Sequence, residues 1–381
     1  MHRSLLAVFS VALVFFASGN SFAQTSNPNS SPTPPIEPKT EGQEPVKVFT
    51  EEVRLQVVAL DQYGHYDPTL EADDVLVLED RVAQQIRSIQ RLPVNVLLLL
   101  DTGNQLGLKN TNVTRDVALR LVSRVHDGNR IAVMQFADRP ELLQAFTTDK
   151  AAVARTLKSR IHSGKISRLS EAIAAAADQF KDTPAGTRHI VLITDGVEGP
   201  GGRFNLPESL KQLNSIQASV HIISYTVLSR KQIQKLNAWR KGDGIQRDGH
   251  PGGNPVANGD PTLPAGTTRT PTFRLGSKDN DPGLAKRRKE YETASIFSEA
   301  QLSEIAEESG GTIWVPESTN DLLGEAESIA RDIGSQYVVT YRPTRTLASA
   351  KPGEYRQVEV ASRRVGLYLR SRRGYIVTNP Q

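Results

Sequence analysis

The spacing of apolar residues divides the chain into two kinds of region. Residues 46–91 and 345–378 contain short stretches, such as VRLQVVALD and YRQVEV, in which apolar and polar residues alternate. A period of two is typical of strands that bury one face. Each segment has too few strands to be stable alone, and the two ends of a domain commonly lie close together. We therefore predict that the two segments build one small β-sandwich.

Residues 92–341 follow a different pattern, in which short apolar runs alternate with helix-like stretches. The runs predicted as strands are Val94–Leu100, Arg130–Phe136, His189–Thr194, Val220–Thr226, Thr312–Val315 and Tyr337–Tyr341. The stretches predicted as helices are Val113–Val125, Lys150–Arg160, Leu169–Phe180, Pro207–Ile216, Glu299–Ser309 and Asp321–Ile333. Such regular alternation indicates the α/β class, here a doubly wound, mostly parallel six-stranded sheet with helices on both faces.

Three further segments are not expected to join a core. Residues 1–23 have a basic start, an apolar stretch and a small-x-small site, as a signal peptide has. Residues 24–45 consist mainly of Pro, Ser, Thr and Asn and predict a disordered linker. Residues 242–290 are rich in Gly, Pro and Asp and end in the basic run AKRRKE, so we predict a disordered insertion in the α/β domain.

The composition narrows the classes of function. The 381 residues include no cysteine, which excludes thiol catalysis and zinc–thiolate sites. The formal net charge of +4 is too small to indicate a nucleic-acid partner. After residue 23, no apolar stretch is long enough to span a membrane. We expect a protein exported by its signal peptide, periplasmic or secreted, without a transmembrane span after cleavage.

Polar side chains follow two of the predicted strands and precede a helix at the same edge of the sheet. Asp101 ends the apolar run NVLLLLD, Ser167 comes just before a helix, and Asp195 ends the run LITD. Ligand sites in such sheets lie beyond the carboxyl ends of the strands. Two carboxylates and a hydroxyl there are suitable ligands for Mg²⁺ or Mn²⁺. The alternative is that Asp101 and Asp195 only cap loops and helices.

These motifs give the chain a resemblance to a known family. The strand ending in Asp101, the strand in DGNRIAVMQFAD, the hydroxyl before a helix and the strand VLITDG resemble a von Willebrand factor A-type domain over residues 92–341. The flanking β segments are similar to those around this domain in exported bacterial proteins common in Acidobacteria. The resemblance implies a doubly wound sheet with a metal-ion-dependent adhesion site at its carboxyl-end edge.

The first motif of that adhesion site is incomplete in this chain. The family pattern is Asp-x-Ser-x-Ser, and Gly103 and Gln105 stand at the two serine positions. Asp101, Ser167 and Asp195 remain as the metal ligands that the resemblance implies. Because a glycine offers no side-chain oxygen, we expect a degenerate site that binds Mg²⁺ or Mn²⁺ weakly or not at all.

Motifs of common enzyme classes are missing from the sequence. The first strand–helix turn has no Gly-x-Gly-x-x-Gly, GVEGPGGRF lacks the ending of a P-loop, and there is no Gly-x-Ser-x-Gly. We therefore predict a non-enzymatic module for adhesion or protein interaction, whose partner is a protein of the cell envelope or exterior. The alternatives are a structural envelope component with a passive α/β domain, and a metal-assisted hydrolase using Asp101 and Asp195.

Overall fold

Two sheets form the framework of the chain in the computed structural model. The structure describes residues 52–104, 106, 111–181, 183–241, 282–351 and 353–377. The predicted signal peptide and linker lie outside these residues, as do Gln105 and residues 242–281 of the predicted insertion. Within the described residues, no helix has the length and apolar character needed to cross a membrane.

The strands are β1 (Val53–Asp61), β2 (Val75–Glu79), β3 (Val82–Gln90), β4 (Val94–Asp101), β5 (Arg130–Phe136), β6 (Pro140–Thr147), β7 (Thr187–Thr194), β8 (Ser219–Ser224), β9 (Ile313–Trp314), β10 (Tyr337–Arg342), β11 (Tyr355–Ser362), β12 (Leu367–Ser371) and β13 (Gly374–Ile376). The α-helices are α1 (Thr111–Arg124), α2 (Lys150–Arg160), α3 (Leu169–Gln179), α4 (Leu206–Ile216), α5 (Thr226–Lys241), α6 (Pro282–Ser309) and α7 (Thr319–Gly334).

The first sheet has six strands in the order β6-β5-β4-β7-β8-β9. All its pairs are parallel except β5 with β6. Every residue of the central strand β4 is buried, because helices cover both faces. Val96, Leu98 and Leu100 pack into a core shared with α1, α2 and α7, whereas Leu97 and Leu99 pack into a core shared with α3, α4 and α6. The predicted fold class, a doubly wound and mostly parallel six-stranded sheet, is confirmed.

One strand of this sheet differs from the prediction. The apolar pattern predicts the run Tyr337–Tyr341 here, but the structure places it in the other sheet as β10, and the edge strand β6 takes the sixth place. The sequence of β6, PELLQAFT, lacks a regular alternation, and its register on β5 shifts twice. Such irregular pairing leaves no period-two pattern to detect.

The second sheet has seven strands in the order β12-β1-β10-β3-β2-β11-β13, all paired antiparallel. The amino- and carboxyl-terminal segments therefore share a sheet, with β1 on β12 and β2 on β11. It is one continuous sheet around a single apolar core rather than two separate stacked sheets. The reason is β10, which bonds to both β1 and β3 and joins the halves.

Strand β10 also connects the two sheets along the chain. The α/β domain begins after β3 and ends at α7, directly before β10. The end of β3 pairs with the start of β10, with Gln90 opposite Val338 and Ile89 opposite Val339. The entry and exit of the α/β domain therefore lie on adjacent strands.

The region of the predicted insertion contains helix as well. Residues 282–290, predicted to be disordered, form the first turns of α6. Pro282 begins the helix, where its fixed φ angle is favourable, and Ala, Lys, Arg and Glu are strong helix formers. Helix α5, which the sequence patterns do not predict, precedes residues 242–281. The two helices pack together beside the carboxyl-end edge of the six-stranded sheet.

Candidate functional site

The Asp101 carboxylate is the centre of the predicted site. It ends β4, is 1% exposed and accepts hydrogen bonds on both oxygens. Ser167 Oγ donates to Oδ1 at 2.7 Å, and Thr194 Oγ1 donates to Oδ2 at 2.7 Å. The Gly103 amide also donates to Oδ1, at 3.1 Å. Three segments at the carboxyl-end edge of the sheet therefore converge on Asp101, as the sequence predicts for Asp101 and Ser167.

Gly103 holds the first loop against the loop that carries Ser167. Gly103 bridges to Gly164 in parallel, and the Gly164 amide donates to the Thr102 carbonyl at 3.0 Å. A Cβ added at Gly103 would lie 2.4 Å from both the Ile166 carbonyl oxygen and Ser167 Oγ. That distance is far inside van der Waals contact, so this backbone has no room for a serine where the family motif has one.

Asp195, the second predicted carboxylate, lies under a helix. It is fully buried, and its Oδ1 accepts a hydrogen bond from the Val197 amide at 3.1 Å. Its Oδ2 accepts a hydrogen bond from the hydroxyl of Tyr291 in α6. Burial and the neighbouring Asp195 raise the pKa of Tyr291 well above its ordinary value. The tyrosine is thus a stable proton donor to the carboxylate.

Tyr225 completes the inner wall of the site. Its hydroxyl lies 3.4 Å from the backbone carbonyl oxygen of Asp101. Burial raises its pKa well above the ordinary value, and the charges of Asp101 and Asp195 add to that shift. The Tyr225 hydroxyl therefore lies at the end of β4, close to the loop that carries Asp101.

The side chains of this site do not fit a resident cation. Each oxygen of Asp101 and of Asp195 already accepts a hydrogen bond from a protein donor. Gly103 supplies no side-chain oxygen, and Ser167 Oγ is already hydrogen-bonded to Asp101. In the described part of the chain, no group of three or more His, Asp or Glu residues has a metal-binding arrangement. A hard cation would therefore have to compete with these donors for the carboxylate oxygens, without the oxygen ligand that a serine at position 103 would add.

The outer boundary of the site is the rim loop, defined here as residues 197–204. The Gly199 amide donates to the Ser167 carbonyl at 2.7 Å, and the Arg168 guanidinium donates to the carbonyls of Gly199 and Pro200. Glu198 accepts from the backbone and hydroxyl of Ser170 at 2.8 and 3.0 Å. These bonds fix a glycine-rich segment in one conformation. At its end, the Phe204 ring is 42% exposed.

A small cavity opens beside Tyr225, between α1, α5 and α7. Its volume is about 250 Å³, and its lining includes Val117, Tyr225, Ser229 and Leu322. Pockets for small-molecule substrates usually have about 300–1,000 Å³. The cavity therefore has room for one or two side chains rather than for a substrate of ordinary size.

The structure brings together the three described residues of the predicted set, Asp101, Ser167 and Asp195, and adds residues that the sequence does not indicate. Thr194 escapes prediction because it looks like one more position of an apolar strand. The signal that could have identified Thr194 is its position directly before Asp195, at the end of β7. Tyr291 is 96 positions away from Asp195, so no local pattern points to it.

Comparisons with known proteins find one matching family model and several similar solved structures. The family model of the von Willebrand factor type A domain matches residues 95–243. Among solved structures, the chain is similar to an aerotolerance-related membrane protein from Bacteroides fragilis, with 19% identity, 63% of this chain and 98% of that chain covered, and a TM-score of 0.37. It is also similar to BatB from Bacteroides thetaiotaomicron, with 17% identity, coverage of 63% and 98%, and a TM-score of 0.36.

A further similar structure is described as von Willebrand factor type A from Catenulispora acidiphila, with 10% identity, 87% of this chain and 76% of that chain covered, and a TM-score of 0.41. No curated protein matches the chain. The matched residues include β4, β5, β7 and β8, whose parallel pairing and carboxyl-end loops are described above. The chain therefore carries a von Willebrand factor type A domain at residues 95–243.

Proposed function

We propose that the chain is an exported, non-enzymatic module for protein interaction or adhesion. Its partner, a protein of the cell envelope or exterior, binds at the carboxyl-end edge of the six-stranded sheet. The observation that carries this proposal is the rim loop, which is hydrogen-bonded to the segment around Ser167 and ends at the exposed ring of Phe204. A surface held in one conformation loses little entropy on binding.

In this proposal the interaction does not depend on a resident cation. Protein donors engage both carboxylates, and Gly103 has no space for the missing serine. Recognition relies instead on the shape of the rim loop and on hydrogen bonds from it. The same contacts speak against the hydrolase alternative, because Asp101, one of the two carboxylates that it needs, is buried and accepts hydrogen bonds from Ser167 and Thr194.

A second candidate function assigns binding to the seven-stranded sheet, with a passive α/β domain. The supporting observation is an exposed apolar surface near its edge strand β12, where Val365 is 100% and Tyr368 is 63% exposed. Edge strands and exposed aromatic residues are common contact points for other chains. A comparison of substitutions on the two surfaces distinguishes the candidates.

The test compares proteins captured from a bacterial envelope extract by the wild type and by two matched variants. Phe204→Ala removes the exposed ring of the rim loop, and Tyr368→Ala removes one from β12. We expect partners retained by the wild type and by Tyr368→Ala to be lost with Phe204→Ala, both with and without a metal chelator. Loss with Tyr368→Ala alone would favour the seven-stranded sheet, and equal recovery by all three proteins would contradict the rim proposal.

A further inference from the structure

Helix α6 has two halves with different surroundings. At 28 residues, it is about 42 Å long. Its carboxyl-terminal half places Leu302, Ile305 and Ala306 in the core beneath the six-stranded sheet. Its amino-terminal half belongs to a separate small cluster, in which Tyr291 packs with Val197 and Ile233. Among the residues that the structure describes, the first half of α6 therefore has a smaller apolar contact than the second.

The contacts of the amino-terminal half go to α5 and to the loop after β7. Tyr291 donates its hydrogen bond to Asp195, and Gln234 Nε2 in α5 lies 3.5 Å from Glu292 Oε1. Further along, Glu299 accepts bonds from Thr226 at 2.7 Å and from Arg230 at 2.8 Å. Tyr291 makes the hydrogen bond that joins this half of α6 directly to the edge of the sheet, so its loss should weaken the closed arrangement.

Exposed residues on the same helix indicate that the closed arrangement does not bury all the apolar surface that it could. Phe297 is 72% exposed and Ile296 is 58% exposed, at the junction of the two halves. Apolar side chains exposed in this way become available for packing if the helix changes its position or binds a partner. Segments held by few apolar contacts also open at a low cost in free energy.

We propose that residues 283–297 of α6 form a displaceable cap over Asp195, with the Tyr291–Asp195 hydrogen bond as its latch. In the closed state, the cap occupies the edge of the sheet beside the rim loop. In the open state, Asp195 and its surroundings become available to a partner, and Ile296 and Phe297 can repack. This proposal depends on the proposed function in one respect, namely that the partner binds at this edge of the sheet.

The lack of native cysteine permits a direct measurement of opening. Ile233 in α5 is fully buried against Tyr291 of the cap, so Ile233→Cys introduces a single shielded thiol beneath the cap. Its rate of reaction with the thiol reagent DTNB, under native conditions, reports how often the cap opens. We expect Tyr291→Phe, added to this variant, to increase the rate about tenfold, as for the loss of one hydrogen bond to a charged group.

Tyr341→Phe is the matched control. The Tyr341 hydroxyl donates to Glu79 Oε2 at 2.6 Å, so this change removes a buried tyrosine–carboxylate bond of the same kind from the other sheet. It should leave the labelling rate of the introduced thiol unchanged, within a factor of two. Equal rates with and without Tyr291→Phe would overturn the proposal. So would equal acceleration by both changes, because opening would then be global unfolding.

Hydrogen exchange of the unmodified protein provides a second measurement that needs no substitution. Amides of residues 287–297 should exchange at least tenfold faster than those of residues 302–309 in the same helix. Uniform protection along α6 would overturn the cap. Neither measurement requires a partner. The cap proposal can therefore fail while the Phe204→Ala experiment supports the proposed function. Conversely, the cap can be supported while the Phe204→Ala experiment contradicts the proposed function.

Discussion

The imidazole of His221 in β8 lies 3.2 Å from the carboxylate of Asp332 in α7, and both side chains are excluded from water. On its other side, His221 Nε2 lies 3.2 Å from Nδ1 of His189 in β7. Arg370 of β12 donates to both oxygens of Asp332, at 2.5 and 2.7 Å. The Tyr66 hydroxyl also bonds to Asp332, at 3.3 Å. These polar side chains form a network, called the polar network below, that joins the six-stranded sheet to the seven-stranded sheet.

The polar network should make the stability of the folded protein fall with acid in two separate pH ranges. Burial, and then the neighbouring His221, lower the pKa of His189 well below 6.5. The unfolded state therefore binds the proton first, and stability falls as the pH drops below about 6.5. For Asp332, burial opposes ionisation, but His221 and Arg370 lower its pKa from 3.8 to about 2. Its contribution is lost as the pH falls from about 4 towards 2.

Thermal denaturation between pH 7.5 and 5 tests the first pH range. The melting temperature of the wild type should fall across this range, and the slope should be smaller for His189→Leu. Val191→Ala in the same strand is the control, because it creates a cavity without removing a titratable group and should lower all values with the slope kept. A slope for His189→Leu equal to that of the wild type would contradict the assignment.

Arg370→Met should destabilise the protein by about 3 kcal/mol, because it leaves a buried carboxylate without its guanidinium partner. Asp332 is 1% exposed, so water cannot replace the lost donor. Arg373→Met is the control, since Arg373 is 56% exposed and pairs with Glu307 and Glu308 on the surface. That change should cost less than about 1 kcal/mol. Urea denaturation measures both, and equal costs would show that the interior pair has no special role.

Gly103→Ser should destabilise the protein by about 3 kcal/mol and should not restore a cation site, because the new side chain collides with Ile166 and Ser167. The matched substitution is Gly324→Ser in α7, where a Cβ would meet no atom within 4 Å. It should stabilise the helix by roughly 0.5 kcal/mol. If Gly103→Ser folds as stably as the wild type, the close approach of the two loops is wrong.

Calorimetric titration with Mg²⁺ and with Mn²⁺ should give dissociation constants of roughly 1 mM or weaker, equivalent to about 4 kcal/mol or less. The donors already on Asp101 and Asp195 compete with a cation for the carboxylate oxygens, and position 103 offers no side-chain oxygen. Asp101→Asn should therefore give the same heat signal as the wild type. Saturable binding in the low micromolar range that disappears with Asp101→Asn would contradict the prediction.

Sequence patterns are sufficient to predict the central strands of the six-stranded sheet and the site residues that directly follow a strand or precede a helix. The run before Asp101 is apolar at nearly every buried position of β4, so the strand and the carboxylate at its end are both predictable. Ser167 follows from its place before a helix. Strand β10 is assigned to the wrong sheet because its residues suit either one. Its partners β1 and β3 lie hundreds of positions away, and pairing over such separations leaves no local pattern.

The remaining part of the site depends on contacts of the same nonlocal kind. Tyr291 reaches Asp195 only because α5 and α6 fold back over the edge of the sheet. The charged run before Tyr291 favours helix by propensity but resembles a solvated loop, because its neighbours are rich in Gly and Pro. The close approach of Gly103 to Ser167 cannot be predicted from the sequence either. The sequence shows only that a glycine stands where the family motif has a serine.

The pairing of Gln90 with Val338 has a consequence for how this architecture can be modified. Opposite residues on such a pair lie about 5 Å apart, the span of a tight hairpin turn. The whole α/β domain thus occupies the position of the turn between β3 and β10. A short turn spliced in its place preserves the connectivity of all seven strands, and another domain with adjacent termini fits the same junction. In this sense, the α/β domain is an insertion between two adjacent strands of the seven-stranded sheet.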